Sequence, residues 1–467
     1  MTVTLGAPGD PLPLPCDAPE GGQVEVAVAP AGLEHVGAVR RAFEAFVAAH
    51  EGERLYGITT AHHRGATRLL DPEARAAYAQ RIPPTPASFG EALPERVVRG
   101  VVAARLAGFL AGGAAVRPEL VVAVARMLDG PMPSVTARGH GDSGEIIANR
   151  ATFGHLELEV ELAAKEGMAL VNGAPASAAV LADGALAGQG RLALADEVLA
   201  FAYEAALAPH AHVDPALDEA WGDPFEAAAL RRLRALLDGG HADRGAHQAA
   251  VAFRDAPRLL GWLRRAHAQA EEAAAVSLAH PGDNPTFVPA GADGSPARIL
   301  SNAGYHDPRA APVLGALAAA WADLASLACV QATRLAEDPA GLSARESVPE
   351  VTLLSMTALG WAEEARAAAG PALLSLGGSA PSDTSSPALP AWRRAQEAGG
   401  GLDAVLAVLC VLSAHAIHTA GREPPPALAP LQARTLAAFP AGLHARDYGT
   451  ALTRVAEALT AGRIPPG

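Results

Sequence analysis

The run Arg138-Gly139-His140-Gly141-Asp142-Ser143-Gly144-Glu145 concentrates more reactive chemistry than any other stretch of this chain. Gly139, Gly141 and Gly144 have the spacing of a dinucleotide-binding loop, whose glycines let the backbone approach a pyrophosphate. Such a loop needs a preceding strand and a following helix within an alternating series, and the flanking chain shows no such series. Gly141-Asp142-Ser143-Gly144 also imitates the nucleophile loop of trypsin-like proteases, which are all-β and place a His and an Asp upstream in strands. A plain surface turn uses the same residue types. The fourth reading is backbone chemistry. In a sharply bent Asp-Ser-Gly turn, the glycine amide nitrogen attacks the carbonyl carbon of the residue before serine, and loss of water turns the serine into a dehydroalanine-like electrophile. Small residues favour this because the backbone must bend and the nitrogen must come close. The eight residues alone leave the turn and the cyclisation both open.

The elements that must carry this loop read as mostly helical. Half of the 467 residues are apolar, yet only 4% are aromatic and 18% charged. A core must therefore be packed from Ala, Leu and Val, as close-set helices require. Val36, Val39, Phe43 and Phe46 recur at helical spacing from about Gly32, and helical patterns follow at Pro94–Leu110 and Pro118–Leu128. Arg54–Arg64 breaks the pattern as a loop, and Pro83, Pro84 and Pro86 mark another irregular stretch. A short strand-like run stands at Val24–Val28, and His155–Leu162 alternates apolar with polar residues. From Leu192 onward long Ala/Leu segments dominate, at 192–207, 224–238, 255–279, 309–336, 351–369 and 401–420, with brief breaks. The expected class is mainly α: a long antiparallel helical bundle over 191–467 and a smaller mixed N-terminal domain over 1–190. Gly377–Pro390 reads as a functional or mobile loop.

Composition excludes several classes of function. Acidic residues outnumber basic ones, 50 to 36, for a net charge of −14 with no Lys/Arg block, so no nucleic-acid partner is expected. Cys16, Cys329 and Cys410 are odd in number and far apart, which fits neither a disulfide framework nor a metal-binding pair. The first 15 residues lack a basic segment followed by an apolar run, so no secretory signal is expected. Ala404–Ala420 is apolar enough to tempt a membrane reading, but His415 and His418 argue for a buried bundle helix. A cytoplasmic protein without a membrane partner is expected.

Six segments in the same order resemble the aromatic amino-acid ammonia-lyase and aminomutase family, which includes histidine and phenylalanine ammonia-lyases. Arg54-Leu55-Tyr56-Gly57-Ile58-Thr59-Thr60 is similar to the family's Tyr-Gly-Val-Asn-Thr-Gly-Phe-Gly loop. Asp142-Ser143-Gly144-Glu145-Ile146 stands where the family has Ala-Ser-Gly-Asp-Leu, the source of its methylidene-imidazolone (MIO) group. Lys165 to Gly173 matches Lys-Glu-Gly-Leu-Ala-Leu-Ile-Asn-Gly most closely. Gln248 to Gly261 follows a segment of which Gln248, Arg254, Pro257 and Gly261 are retained, and Asp283-Asn284-Pro285 and Gly304-Tyr305-His306 complete the set.

The resemblance implies a helical ammonia-lyase fold assembled as a homotetramer. It implies that Tyr56 moves a substrate proton, that Asp142, Ser143 and Gly144 form MIO, and that Asn172 steadies that electrophile. Arg254 would hold a substrate carboxylate, although spacing alone reads it as an ordinary ion pair. Gln248, Tyr305, His62 and His63 would line the substrate. His62, His63 and His140 are brought near one pocket by the resemblance, but paired loop histidines are more often hydrogen-bonded than metal-bound, so neither a metal nor a nucleotide is expected.

The departures from the family are specific. Val251 occupies the place of its second catalytic Tyr, and Gly304 replaces an Asn. Ser382 falls where a late loop offers a Glu, Thr85 where histidine ammonia-lyases present a His, and His62-His63 where the family has Phe-Gly. The expected activity is a divergent ammonia-lyase or aminomutase acting on an amino acid or related amine through MIO. The alternative is a member without MIO, running a different addition or elimination, or a catalytically silent structural or regulatory subunit.

Overall fold

The computed structural model describes residues 2–5, 25–244, 248–280, 282–337, 350–379 and 382–465. Cys16 and most of the Pro/Gly-rich start lie outside the described residues. Two compact units are each assembled from separate stretches. The first takes Met1–Asp183, Glu271–Pro312 and Ala372–Trp392; the second takes Gly184–Ala270, Val313–Pro371 and Arg393–Gly467.

The first unit is mixed. Its helices run Pro30–Ala49, Pro72–Ala79, Glu95–Leu110, Pro118–Met127, Ile146–Phe153 and Glu166–Val171. Proline in the first turn starts three of them, where its missing N–H costs nothing. Asp71 adds an N-cap by accepting from the Ala74 N–H. All described strands belong to this unit as three two-stranded ribbons: Thr2–Leu5 parallel to Glu25–Val28, and Thr286–Val288 and Ser375–Ser379 antiparallel to Arg298–Leu300 and Ser382–Ser385. The alternating run His155–Leu162 contains a short helix, Leu156–Glu159. One expectation is corrected here. Gly377–Pro390 is a hairpin followed by a helix start rather than a loop; residues 380–381 lie outside the described residues.

Buried charge holds the unit together. Asp283 accepts from Arg105 Nη2 at 2.9 Å and from Lys165 Nζ, and the Lys165 ammonium also donates to the Ala114 carbonyl at 2.8 Å. Arg105, Lys165 and Asp283 are all buried. Burial pushes the Lys165 ammonium below its ordinary range, against the pull of Asp283.

The second unit is helical. It contains Pro224–Leu237, Leu354–Ala368, Ala429–Ala438 and Tyr448–Thr460, and the greater part of Ala256–Ala279, Ala310–Glu337 and Ala388–Thr419. The tempting membrane segment lies in Ala388–Thr419, whose most apolar window is 83% buried. Small residues let these helices touch: a Cβ on Gly401 would stand 2.8 Å from the Ala365 Cβ and 2.9 Å from the Trp361 carbonyl oxygen. Arg191 pairs with Asp403 at 2.8 Å and lies 4.5 Å over the Trp321 ring, so the buried charge is both neutralised and covered.

Candidate active site

The Tyr56 loop is pinned before it presents any chemistry. Thr59 Oγ1 donates to the Glu53 carbonyl at 2.5 Å and accepts from the Leu55 N–H at 2.8 Å, and the Ile58, Thr59 and Thr60 amides return to the Leu55 carbonyl. Leu55 and Ile58 sit in the core cluster with Phe43 and Phe287. This fixes Tyr56, half-buried, at the unit's surface. Gly57, at φ +68°, rests on Met168: a Cβ there would lie 3.1 Å from the Met168 side chain. Burial raises the Tyr56 phenol above its ordinary value, the His63 backbone N–H opposes that by favouring the phenolate, and Tyr305 adds a smaller upward push.

The Asp142-Ser143-Gly144 turn is fixed at each residue. The Asp142 carboxylate accepts from the Ile147 N–H at 2.8 Å, at the start of the Ile146–Phe153 helix. Burial nevertheless pushes this carboxyl upward. Ser143 Oγ donates to the Thr384 carbonyl at 3.0 Å. Gly144 has φ +71°, and a Cβ would stand 2.7 Å from the Tyr305 carbonyl oxygen and 3.0 Å from its Cβ. Only glycine serves there. Tyr305 thus walls the turn and also acts electrostatically on Tyr56, so Tyr56, Tyr305 and the Ser-Gly turn belong to one neighbourhood of the first unit.

Asn172 follows the Glu166–Val171 helix. Its Nδ2 donates to the Met168 carbonyl at 3.2 Å, and Asn149 Nδ2 donates to the carbonyls of Val171 at 3.1 Å and Asn172 at 3.3 Å. Asn172 is therefore held to the residue under Gly57, with one amide N–H committed to its own helix.

Two groups of the first unit escape a reading of motifs alone. Glu145 is buried and accepts from Ala176 N–H at 2.6 Å, Ser177 N–H at 2.7 Å and Ser177 Oγ at 2.5 Å, capping the Pro175–Ala205 helix; burial pushes it up to about 7. The signal was an acid directly after the turn, but its partners lie some thirty residues on. Tyr78 is the other: its Oη is 2.9 Å from His62 Nδ1 and 3.4 Å from Met168 Sδ. Burial lowers the His62 imidazole, with His63 adding to it.

His140 does not join His62 and His63 in a metal group. Its Nε2 lies 2.8 Å from the Thr136 carbonyl, and no cluster of three or more His, Cys, Asp or Glu side chains able to hold a metal occurs among the described residues. Gln248 and Arg254 belong to the second unit. Gln248 is exposed, and Val251 is 64% exposed. Arg254 closes the short Val251–Arg254 helix, and its Nε is buried without a hydrogen-bond partner among the described residues. A buried guanidinium N–H left unpaired is costly unless a ligand acceptor meets it.

Comparison with known proteins gives this geometry a context. A family model described as aromatic amino acid lyase matches residues 18–156 and 137–441. A histidine ammonia-lyase of Sorangium cellulosum (strain So ce56) is 31% identical over 342 residues, covering 65% of this chain and 65% of that protein. One of Deinococcus radiodurans is 28% identical over 340 residues, covering 66% and 63%. The chain thus spans under two thirds of the length of these relatives. Among solved structures, the ergothioneine-degrading enzyme ergothionase of Treponema denticola aligns with a TM-score of 0.85 at 17% identity, covering 99% of each chain. Phenylalanine aminomutase of Pantoea agglomerans aligns with 0.84 at 16% identity, covering 99% of this chain and 100% of the other. These structural likenesses bear on the fold.

Proposed function

The chain belongs to the aromatic amino acid lyase family, and from that premise we propose that it is a carbon–nitrogen lyase or aminomutase acting on an amino acid or closely related amine. The observation that carries this reading is the seat of Gly144, a turn that admits only glycine and is walled by Tyr305 beside Tyr56. The turn fits MIO: the attacking nitrogen belongs to a residue without Cβ, and the Asp142 side chain, which stays outside such a ring, is already tied to Ile147. Asp142, Ser143 and Gly144 would hold the group, which supplies an electrophile for the substrate amine.

The chain's own side chains account for the rest. Tyr56 handles the carbon proton; burial holds its phenol protonated at rest, and the His63 N–H is the built-in donor that stabilises the phenolate. On the family resemblance, Arg254, whose Nε has no hydrogen-bond partner among the described residues, would take the substrate carboxylate in a two-pronged pair. Asn172 steadies the turn's product, and His62, His63, Tyr305 and Gln248 line the substrate. A cytoplasmic homotetramer, with a long-helix domain over 191–467 and a smaller one over 1–190, completes the proposal, on the family resemblance.

A second reading, a member that eliminates without MIO, is favoured by Asp142. Its half-buried carboxyl stands next to Ser143 and is pushed toward the protonated form, so it offers acid–base capacity where the family has an inert Ala. One experiment separates the two readings. Ring formation removes two waters, so intact mass should fall by about 36 Da below the encoded chain, and Ser143→Ala should restore the full mass of that variant and abolish turnover. A full-mass wild-type chain that still releases ammonia from an amino acid selects the second reading. A full-mass chain inactive on every proteinogenic amino acid removes both.

A further inference from the structure

We propose that Tyr78, held by His62, is a second proton-transfer group of this site, giving a proton to the departing nitrogen while Tyr56 takes one from carbon. The assignment rests on the lyase reading above.

The chemistry sets the requirement. In an elimination the C–H bond breaks and its electron pair forms the C=C bond, while the C–N bond breaks and its pair leaves with nitrogen. A base must accept the carbon proton, and an acid must protonate the nitrogen if it is to leave as a neutral amine. One phenol does not do both at the same moment. The position that aligns with the family's second Tyr is Val251, which has no hydroxyl.

The geometry supplies a candidate from another element. Tyr78 lies in the last turn of the Pro72–Ala79 helix, half-buried, with its Oη 2.9 Å from His62 Nδ1 and the two rings stacked at a centroid distance of 6.0 Å and 29°. The His62-His63 turn serves both phenols: the His62 backbone N–H favours the phenolate of Tyr78, and that of His63 favours the phenolate of Tyr56. Tyr56 adds an electrostatic push that raises the Tyr78 phenol further. Met168 lies against the Tyr78 hydroxyl and beneath Gly57, so one side chain touches both the Pro72–Ala79 helix and the Tyr56 loop. Gly57, Ile58, Tyr78, Lys165 and Met168 line a common small cleft.

The proton balance closes with Tyr56 acting as phenolate: its resting proton leaves to solvent before the carbon proton arrives, and the His63 N–H stabilises the anion so formed. Burial holds Tyr78 protonated and His62 neutral, so Tyr78 starts as the acid. Once its proton has gone to nitrogen, the phenolate recovers one from solvent through His62, which is half-buried and in direct contact. In this step His62 positions the Tyr78 hydroxyl and relays its proton.

Tyr78→Phe keeps the ring and removes one oxygen. The expected result is a fall in kcat of about 100-fold with KM and the thermal midpoint nearly unchanged. His62→Gln, which keeps a hydrogen-bonding group at similar reach, retains more activity than His62→Phe. Independently of turnover, the His62 imidazole followed by NMR in histidine-labelled enzyme should titrate at a different pH in Tyr78→Phe. An active wild type whose Tyr78→Phe variant keeps its kcat, or whose His62 titration does not move, overturns this assignment and leaves the lyase reading standing. A wild type that releases no amine from any amino acid removes the lyase reading, and the role of Tyr78 with it.

Discussion

Glu145 is the residue whose environment departs furthest from what its neighbours in sequence announce. Three donors converge on a carboxyl that is fully buried and pushed up to about 7. Between its ordinary 4.5 and that value, the folded chain keeps a proton that the unfolded chain has released. Its contribution to stability is therefore full below about pH 4.5 and is lost as pH rises through 7, a change on the order of 3 kcal/mol. Glu145→Gln should flatten urea midpoints across that window, at a cost of about 1–2 kcal/mol because one acceptor becomes a donor facing the Ala176 N–H. Equal slopes in the two proteins would show that Glu145 does not titrate there. At this scale the sequence singled out Tyr56, Ser143 and Gly144 only through the family resemblance of the segments that carry them. It was not readable for Glu145 or Tyr78, whose meaning depends on a backbone amide and an imidazole supplied by other segments.

Among elements, the long helices were legible because 3.6-residue periodicity persists over many turns. The expected segments at 224–238, 255–279 and 309–336 correspond to helices Pro224–Leu237, Ala256–Ala279 and Ala310–Glu337. Short pieces were not legible. Glu166–Val171 has six residues, all buried, and no polar face to mark a period. The strands Ser375–Ser379 and Ser382–Ser385 are built of Ser, Gly, Asp and Thr with a single Leu, so no apolar alternation announces them. The Gly144 seat shows what such short elements accomplish together, since a turn and the Tyr305 segment meet with no room for a methyl group. Gly144→Ala forces a positive φ on an L residue and a 2.7 Å approach to the Tyr305 oxygen, so about 2–3 kcal/mol of stability should be lost along with turnover. Calorimetry showing an unchanged midpoint would mean that Tyr305 yields without cost.

On the scale of the whole molecule, a reading along the chain assigns contiguous stretches, whereas the units are gathered from segments that return after long excursions. Asp283 is the sharpest instance. It neutralises Lys165 and Arg105, 118 and 178 residues earlier. The segments around Lys165 and Asp283 were both recognisable, but nothing local says that one compensates the charge of the other. Asp283→Asn leaves two buried cations without an anion, and the expected cost is about 3–5 kcal/mol, read as a lowered urea midpoint or loss of soluble protein. A neutral outcome would require water to reach Lys165.

The bond from Ser143 to the Thr384 carbonyl spans 241 residues, and that span is also an interval of time. On the ribosome the turn emerges long before the strand that seats its hydroxyl has been translated. Until that strand arrives the serine lacks its native neighbour. A chain that stops short of Thr384 therefore lacks the acceptor of the Ser143 hydroxyl.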